Sequence, residues 1–196
     1  MTNTLFTTDT HFSHKNIIQY CNRPFKTVEE MNEVMIANWN SVVTPSSTIY
    51  HLGDVGFGDL RSILNRLNGK IILITGSHDK SALQCRDRFE LVTPLLEIDI
   101  ENEHITLCHY AMRVWPRSHY NSFHLFGHSH GRLSESYVRG DDKVFAGESY
   151  TDYTVASGKS FDVGVDGHNF FPWRFEEIRE EMNKRPNNFN LVRKDE

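Results

Sequence analysis

The sequence predicts an α/β protein whose functional groups gather along one edge of its sheets. Three observations lead there. Short β-branched apolar runs alternate with segments of helical spacing. Five of those runs end in a polar cluster rich in histidine and aspartate. No repeat, long linker or membrane-length apolar run interrupts the 196 residues.

The elements follow in order. Residues 4–8 form a strand-like run that stops at Asp9. Residues 28–39 place Met31, Val34, Met35 and Trp39 at helical spacing, which predicts a helix with that face buried. Residues 48–52 read as a strand ending in Gly53-Asp54, and residues 60–67 as a helix stopped by Asn68-Gly69. The dense apolar run at 70–75 predicts a buried strand closed by Gly76. Residues 95–100 and 105–109 flank Glu101-Asn102-Glu103 as a hairpin. Residues 123–126 and 161–165 are further short strands, and 172–183 opens with proline as a closing helix. The expected organisation is a single domain over 1–184 and a polar tail over 185–196. The stretch 134–159, rich in Gly, Ser and charge, reads as a lid, a dimer contact or a surface excursion.

Composition narrows the function. With 38% hydrophobic and 24% charged residues, the chain belongs with ordinary globular proteins. A net charge of −5 argues against a broad nucleic-acid surface. It leaves room for an anionic substrate, because bound divalent ions would add positive charge locally. Cys21, Cys85 and Cys108 are an odd set without a signal-like N-terminus, so a reducing, cytoplasmic setting and no membrane are expected.

Eleven histidines, several beside Asp or Gly, point to metal. Asp9 and His11 lie two residues apart at a strand end, where period-two geometry aims both to one side. His128 and His130 repeat that spacing after Gly127. Carboxylate plus imidazole suits Zn, Mn or Fe rather than Ca. Each piece alone is weak. Asp-x-His is commonly a polar strand end, Gly-Asp a common turn, and a single histidine after ITLC more often a core residue. Five such clusters, in order and each after a strand, carry more weight than any one.

The series DTH, GD, GSHD, CHY and GHSH resembles the ordered motif set of the calcineurin-like metallophosphoesterases. It runs from Asp9 to His130, and FDVGVDGHNFFPWRFEEI resembles the end of small bacterial and phage members. The resemblance implies a four-layer α/β/β/α sandwich with two mixed β-sheets. It also implies two divalent metal ions (Mn, Fe, Zn or Ni, with Mn suited to assay) and hydrolysis of a small phosphorylated or nucleotide-like mono- or diester. By that resemblance Asp9, His11 and His130 hold one ion, His109 and His128 the other, and Asp54 bridges them. The family's asparagine at position 77 completes the second site. A metal-activated water attacks phosphorus in line, His78 serves as general acid or charge stabiliser, and Asp79 orients it.

Here position 77 is serine, a shorter and poorer ligand. The departure reads either as a natural variant or as an introduced inactivating change, and both predict a weakened second site. His14, Arg23, Arg113 and Trp115 are candidates for gripping substrate, through phosphate clamping and base stacking. As loop residues they are individually more often solvated or structural; His14 reads equally as a helix cap. Asp162 and Asp166 read as structural. Two other functions remain open: a nuclease on single-stranded ends, disfavoured by charge, and a non-catalytic nucleotide-binding protein, suggested by Ser77.

Overall fold

A computed structural model of the chain describes residues 3–133 and 158–187. The stretch read as a lid or dimer contact lies outside the described residues save for 158 and 159, as does most of the polar tail. The elements are β1 (Thr4–Thr7), α1 (Ile17–Tyr20), α2 (Val28–Val42), β2 (Thr48–His51), α3 (Arg61–Leu64) and β3 (Lys70–Ile74). They continue with α4 (Lys80–Leu83), β4 (Phe89–Thr93), β5 (Leu95–Ile100), β6 (Glu103–Cys108), β7 (Phe123–Phe126), β8 (Ser160–Asp162), β9 (Trp173–Arg174) and α5 (Phe175–Asn183).

Two mixed sheets result. The first has the order β4-β3-β2-β1-β9, with only β9 antiparallel to its neighbour. The second has the order β5-β6-β7-β8, with β5 and β6 an antiparallel hairpin and β6, β7 and β8 parallel. Strand alternation divides the core in two. Leu5, Ile49, Ile71 and Leu73 face helix α2 through Met31, Met35, Ile36 and Trp39. The next residue along each strand turns the other way: Phe6, Tyr50, Ile72 and Ile74 meet Ile105, Leu107, Phe123 and Leu125 of the second sheet, with Phe175, Ile178 and Met182 of α5 closing that layer.

Several elements differ from expectation for identifiable reasons. Helix α2 starts on Thr27, whose hydroxyl accepts the Glu30 amide N–H, and it buries Ile36 where Val34 was expected; Val34 is exposed. The helix expected at 60–67 shrinks to α3, one turn. Strand β4, which the sequence reading left out, pairs with β3 beyond a register shift at Ile71/Ile72. Trp173 and Arg174 add a short strand to β1 before α5 begins, and the Glu177 carboxylate accepts the Arg174 amide N–H at that helix start. Among the described residues no helix is long and apolar enough to cross a membrane. All three cysteines are unpaired.

Strand β7 is buried on both faces, and His124 carries its outer face. The ring is held in one neutral tautomer: Nδ1–H donates to the Thr106 carbonyl at 3.1 Å and Nε2 accepts the Met112 amide N–H at 3.0 Å. Burial pushes its pKa down to about 4. His51, stacked on Trp39, is likewise lowered by burial, to about 3. A base whose folded pKa lies below its unfolded value of about 6.5 contributes stability that is complete above pH 6.5 and lost as pH falls towards the folded value. These two rings therefore lower the urea resistance of metal-free protein from pH 6.5 to 4. His124→Gln should flatten that dependence by up to about one proton, or ~1.4 kcal/mol per pH unit. An unchanged slope would show that His124 does not titrate with unfolding.

Candidate metal centre

Strands β1, β2 and β3 are parallel, as are β6 and β7, so each set ends at a common edge. The loops leaving those ends carry Asp9 and His11, Asp54, Ser77 to Asp79, His109, and His128 and His130. The two edges are laced together. Asp9 N–H donates to the Gly53 carbonyl at 3.0 Å, and Gly127 N–H to the His109 carbonyl at 3.0 Å. His109 Nδ1–H donates to the Leu52 carbonyl at 2.7 Å. Two glycines permit the close fit: a Cβ on Gly76 would collide with Asp54 Oδ1, and one on Gly127 with Asp9 Oδ2.

The pleat does not aim Asp9 and His11, as the sequence reading expected. Strand β1 ends at Thr7, and both residues adopt left-handed backbone, with φ of 56° and 49°. Asp54, His128 and His130 do the same, at 56°, 69° and 52°. Such conformations cost on the order of 1 kcal/mol or more each for non-glycine residues and persist where surrounding structure holds them. The convergence of the ligands is thus a property of interlocked loops.

Two groups of donor atoms result, each mutually within 4.8 Å: Asp9, His11 and His130, and Asp54, His109 and His128. Asp9 Oδ2 is fixed by the His128 amide N–H at 2.8 Å. Its Oδ1 faces His11 Nε2 at 3.8 Å and His130 Nε2 at 3.9 Å. Asp54 Oδ1 is fixed by the His78 amide N–H at 2.7 Å. Its Oδ2 faces His11 Nε2 at 3.8 Å and His109 Nε2 at 3.5 Å, one from each group. That is the placement a carboxylate shared by two cations needs.

The donors fit metal on their own chemistry. Asp9 Oδ1, His11 Nε2 and His109 Nε2 are buried without a hydrogen-bond partner, a costly state for polar atoms. Burial raises Asp9 to about pH 6, against the pull of His130 and His109, so its ionised form calls for a nearby cation. Burial lowers His11 to about 3, leaving one ring nitrogen with a free lone pair at neutral pH. For Asp54 burial acts upward, but the His109 ring and the His78 amide outweigh it and hold the carboxyl well below its usual range. For His130 burial acts downward and the Asp166 hydrogen bond outweighs it.

The other expected residues take varied places. Ser77 is exposed, with its hydroxyl donating to Asp54 Oδ2 at 3.3 Å. The His78 ring is exposed, 6.1 Å from the His11 ring, and belongs to neither donor group. Asp79, expected to orient the His78 ring, instead accepts the amide N–H groups of Gly76, Asp54 and Val55 at 2.6, 3.1 and 2.8 Å, stapling two motif loops together. His14 does not cap α1; its ring packs 4.4 Å from Phe57 and 5.4 Å from His11, at the rim. Trp115, a candidate for base stacking, is 3% exposed; its indole N–H bonds Ser122 and its ring packs on His124, beneath the second sheet. Arg113 lies in the same loop, exposed and outside both donor groups. Arg23, a candidate phosphate clamp, points inward to Asp166, which in turn binds His130 Nδ1–H at 2.7 Å. The sequence reading gave Asp166 a structural part without placing it on a ligand. The available signal was that a metal-binding imidazole needs an acceptor for its second nitrogen, but 36 residues separate the pair.

Cys21, His130 and Asp166 form a third cluster of donor atoms. Both Asp166 oxygens are already engaged by Arg23, so this cluster supports the first group rather than competing with it.

Fold and site together define an α/β sandwich with paired donor groups at the carboxyl edge of its strands. The two mixed sheets are the arrangement that the ordered motifs led one to expect. No family model matches the chain. It is 52% identical over 77 residues to the uncharacterized protein MJ1445 of Methanocaldococcus jannaschii, covering 37% of this chain and 44% of that protein. It is 34% identical over 98 residues to the gene 66 protein of Mycobacterium phage L5, covering 47% of each. The chain thus spans just under half the length of the curated relatives it matches. Among solved structures, the protein of unknown function AQ665 from Aquifex aeolicus shares the fold, with a TM-score of 0.65 and 25% identity over 91% of this chain and 98% of that one. YfcE, a phosphoesterase from E. coli, aligns at a TM-score of 0.41 and 20% identity over 82% of this chain and 77% of its own.

Asp54→Asn keeps the shape of the shared carboxylate and removes its charge. It is expected to lose divalent ions from both groups together, whereas His109→Ala empties mainly the second. Elemental analysis after dialysis against Mn2+ checks this, and the rise in melting temperature on adding Mn2+ should vanish in Asp54→Asn. An Asp54→Asn protein that keeps two ions would remove the shared role.

Proposed function

We propose that this chain is a divalent-metal-dependent phosphoesterase acting on a small, nucleotide-like phosphate mono- or diester in a reducing cytoplasm. The observation that carries the proposal is the pair of donor groups meeting at Asp54 Oδ2, with Asp9 Oδ1, His11 Nε2 and His109 Nε2 buried and without other partners. Oxygen and nitrogen donors suit Mn, Fe, Zn or Ni. Bound ions would supply Lewis acidity against the negative charge of a phosphate.

The remaining work falls to the chain. Asp9 and Asp54 bring carboxylate oxygens, and His11, His109, His128 and His130 bring ring nitrogens. His78 stands beside the donors with its ring exposed, where it can hold a proton for a departing alcohol. Its backbone amide grips Asp54, so the proton donor and the shared carboxylate keep one spacing. Exposed Tyr20, and exposed Tyr110 4.9 Å from the His128 ring, offer flat surfaces beside the centre, which favours a substrate with a planar group.

A second reading, nucleotide binding without turnover, draws on Ser77. Its hydroxyl donates to Asp54 Oδ2, the oxygen that faces both groups, where the family has a carboxamide. Chelator-stripped protein, reloaded with Mn2+ and given bis(p-nitrophenyl) phosphate and p-nitrophenyl phosphate, separates the two. Metal-dependent release of nitrophenol is expected; nucleotide binding with no release would favour the second reading. His78→Ala should slow esters with poor leaving groups by about 10²–10⁴-fold, and nitrophenyl esters less. Loss of bound metal in that variant would count against its role as proton donor. Ser77→Asn should raise both turnover and metal stoichiometry, and no change in either would clear Ser77 of limiting the second group.

A further inference from the structure

We propose that Arg23 and Asp166 form a buried ionic clamp that positions Asp9, His11 and His130, and so sets the cation affinity of the first donor group alone. The inference rests on the metal centre described above. The Arg23 side chain has 0% exposure. Its guanidinium has five N–H groups, and each has a partner. Nε and one terminal nitrogen bond the two oxygens of Asp166 at 2.8 and 2.9 Å. The same terminal nitrogen donates to the Asp9 carbonyl at 2.7 Å. The other terminal nitrogen donates to the Thr10 carbonyl at 2.9 Å and lies 3.5 Å from Met31 Sδ. No N–H is left to grip a phosphate, so the substrate role expected for Arg23 gives way to a positioning one.

The bonds reach every member of the first group. Two carbonyls, of Asp9 and Thr10, are held through the left-handed turn that presents Asp9 and His11. Asp166 carries the clamp to His130: accepting Nδ1–H at 2.7 Å leaves Nε2 bare and aimed 3.9 Å from Asp9 Oδ1. Residues 143 apart in sequence are thereby locked across the two sheets. A planar fork is needed, since an ammonium cannot make the paired bonds and the two carbonyl bonds at once. The second group has separate supports: the Leu52 carbonyl holds His109, and the His78 amide holds Asp54. The clamp touches none of them.

The test is Mn2+ titration calorimetry of the full chain in two backgrounds. His109→Ala leaves the first group whole; His11→Ala leaves the second with all its ligands. Adding Asp166→Asn to His109→Ala should weaken Mn2+ binding by about 10–100-fold, the range for loss of a ligand's outer partner. Adding it to His11→Ala should change affinity less than about twofold, a margin within the usual scatter of additivity between independent sites. Arg23→Lys should repeat the pattern, which guards against one variant that does not fold. Equal losses in both backgrounds would reveal a general structural role and overturn the clamp, as would unchanged affinity in the His109→Ala background. A chain with native ligands that takes up no Mn2+ would instead sink the metal centre itself.

Discussion

The Asp54 carboxylate divides its two oxygens between holding and being held open. Oδ1 is fixed by the His78 amide, while Oδ2 faces a histidine nitrogen from each donor group. To put one oxygen between two groups, the loops after β1, β2, β3 and β6 must come within a few ångströms of each other. That demand explains the absence of a side chain at Gly76, where a Cβ would strike the carboxylate. It explains Asp79 as well, whose carboxylate ties the amides of Gly76, Asp54 and Val55 into one unit. Charge-assisted hydrogen bonds of this kind are roughly twice as strong as neutral ones, which suits them to holding strained backbone.

The strain is substantial because five of the six donor residues sit at positive φ. Their supports differ by group. The first relies on a buried guanidinium, and the second on the Leu52 carbonyl just past β2 and on the His78 amide. A buried arginine would be costly alone, since stripping water from a charge is unfavourable unless paired bonds replace it. Asp166 provides that pairing and also serves His130, so one carboxylate answers two needs. Burial raises Asp9 towards neutrality at the same place. A site holding carboxylates away from water, with bare nitrogens facing them, is electrostatically arranged for a divalent ion.

Sequence alone determined the α/β class, most strand positions and the identity of the clustered motifs, because these rest on local rules. Period-two alternation in Lys70–Ile74 splits Ile71 and Leu73 from Ile72 and Ile74 with no need of tertiary knowledge. Asp9, His11, Asp54, His109, His128 and His130 were legible because each follows a strand-like run, and parallel strands bring such ends together.

Only the tertiary structure decided which oxygen of Asp54 is shared, what Asp79 holds, and where Arg23, Trp115 and Asp166 belong. Trp115 and Arg23 were candidates for substrate because Trp and Arg near a metal motif have that chemistry. Burial assigned them elsewhere, to the back of the second sheet and to Asp166. Burial and pairing across 143 residues depend on how two sheets face one another, and no local pattern encodes that. Strand β4 follows the same rule: FELVT alternates too weakly to specify a strand by itself, and pairing with β3 makes it one.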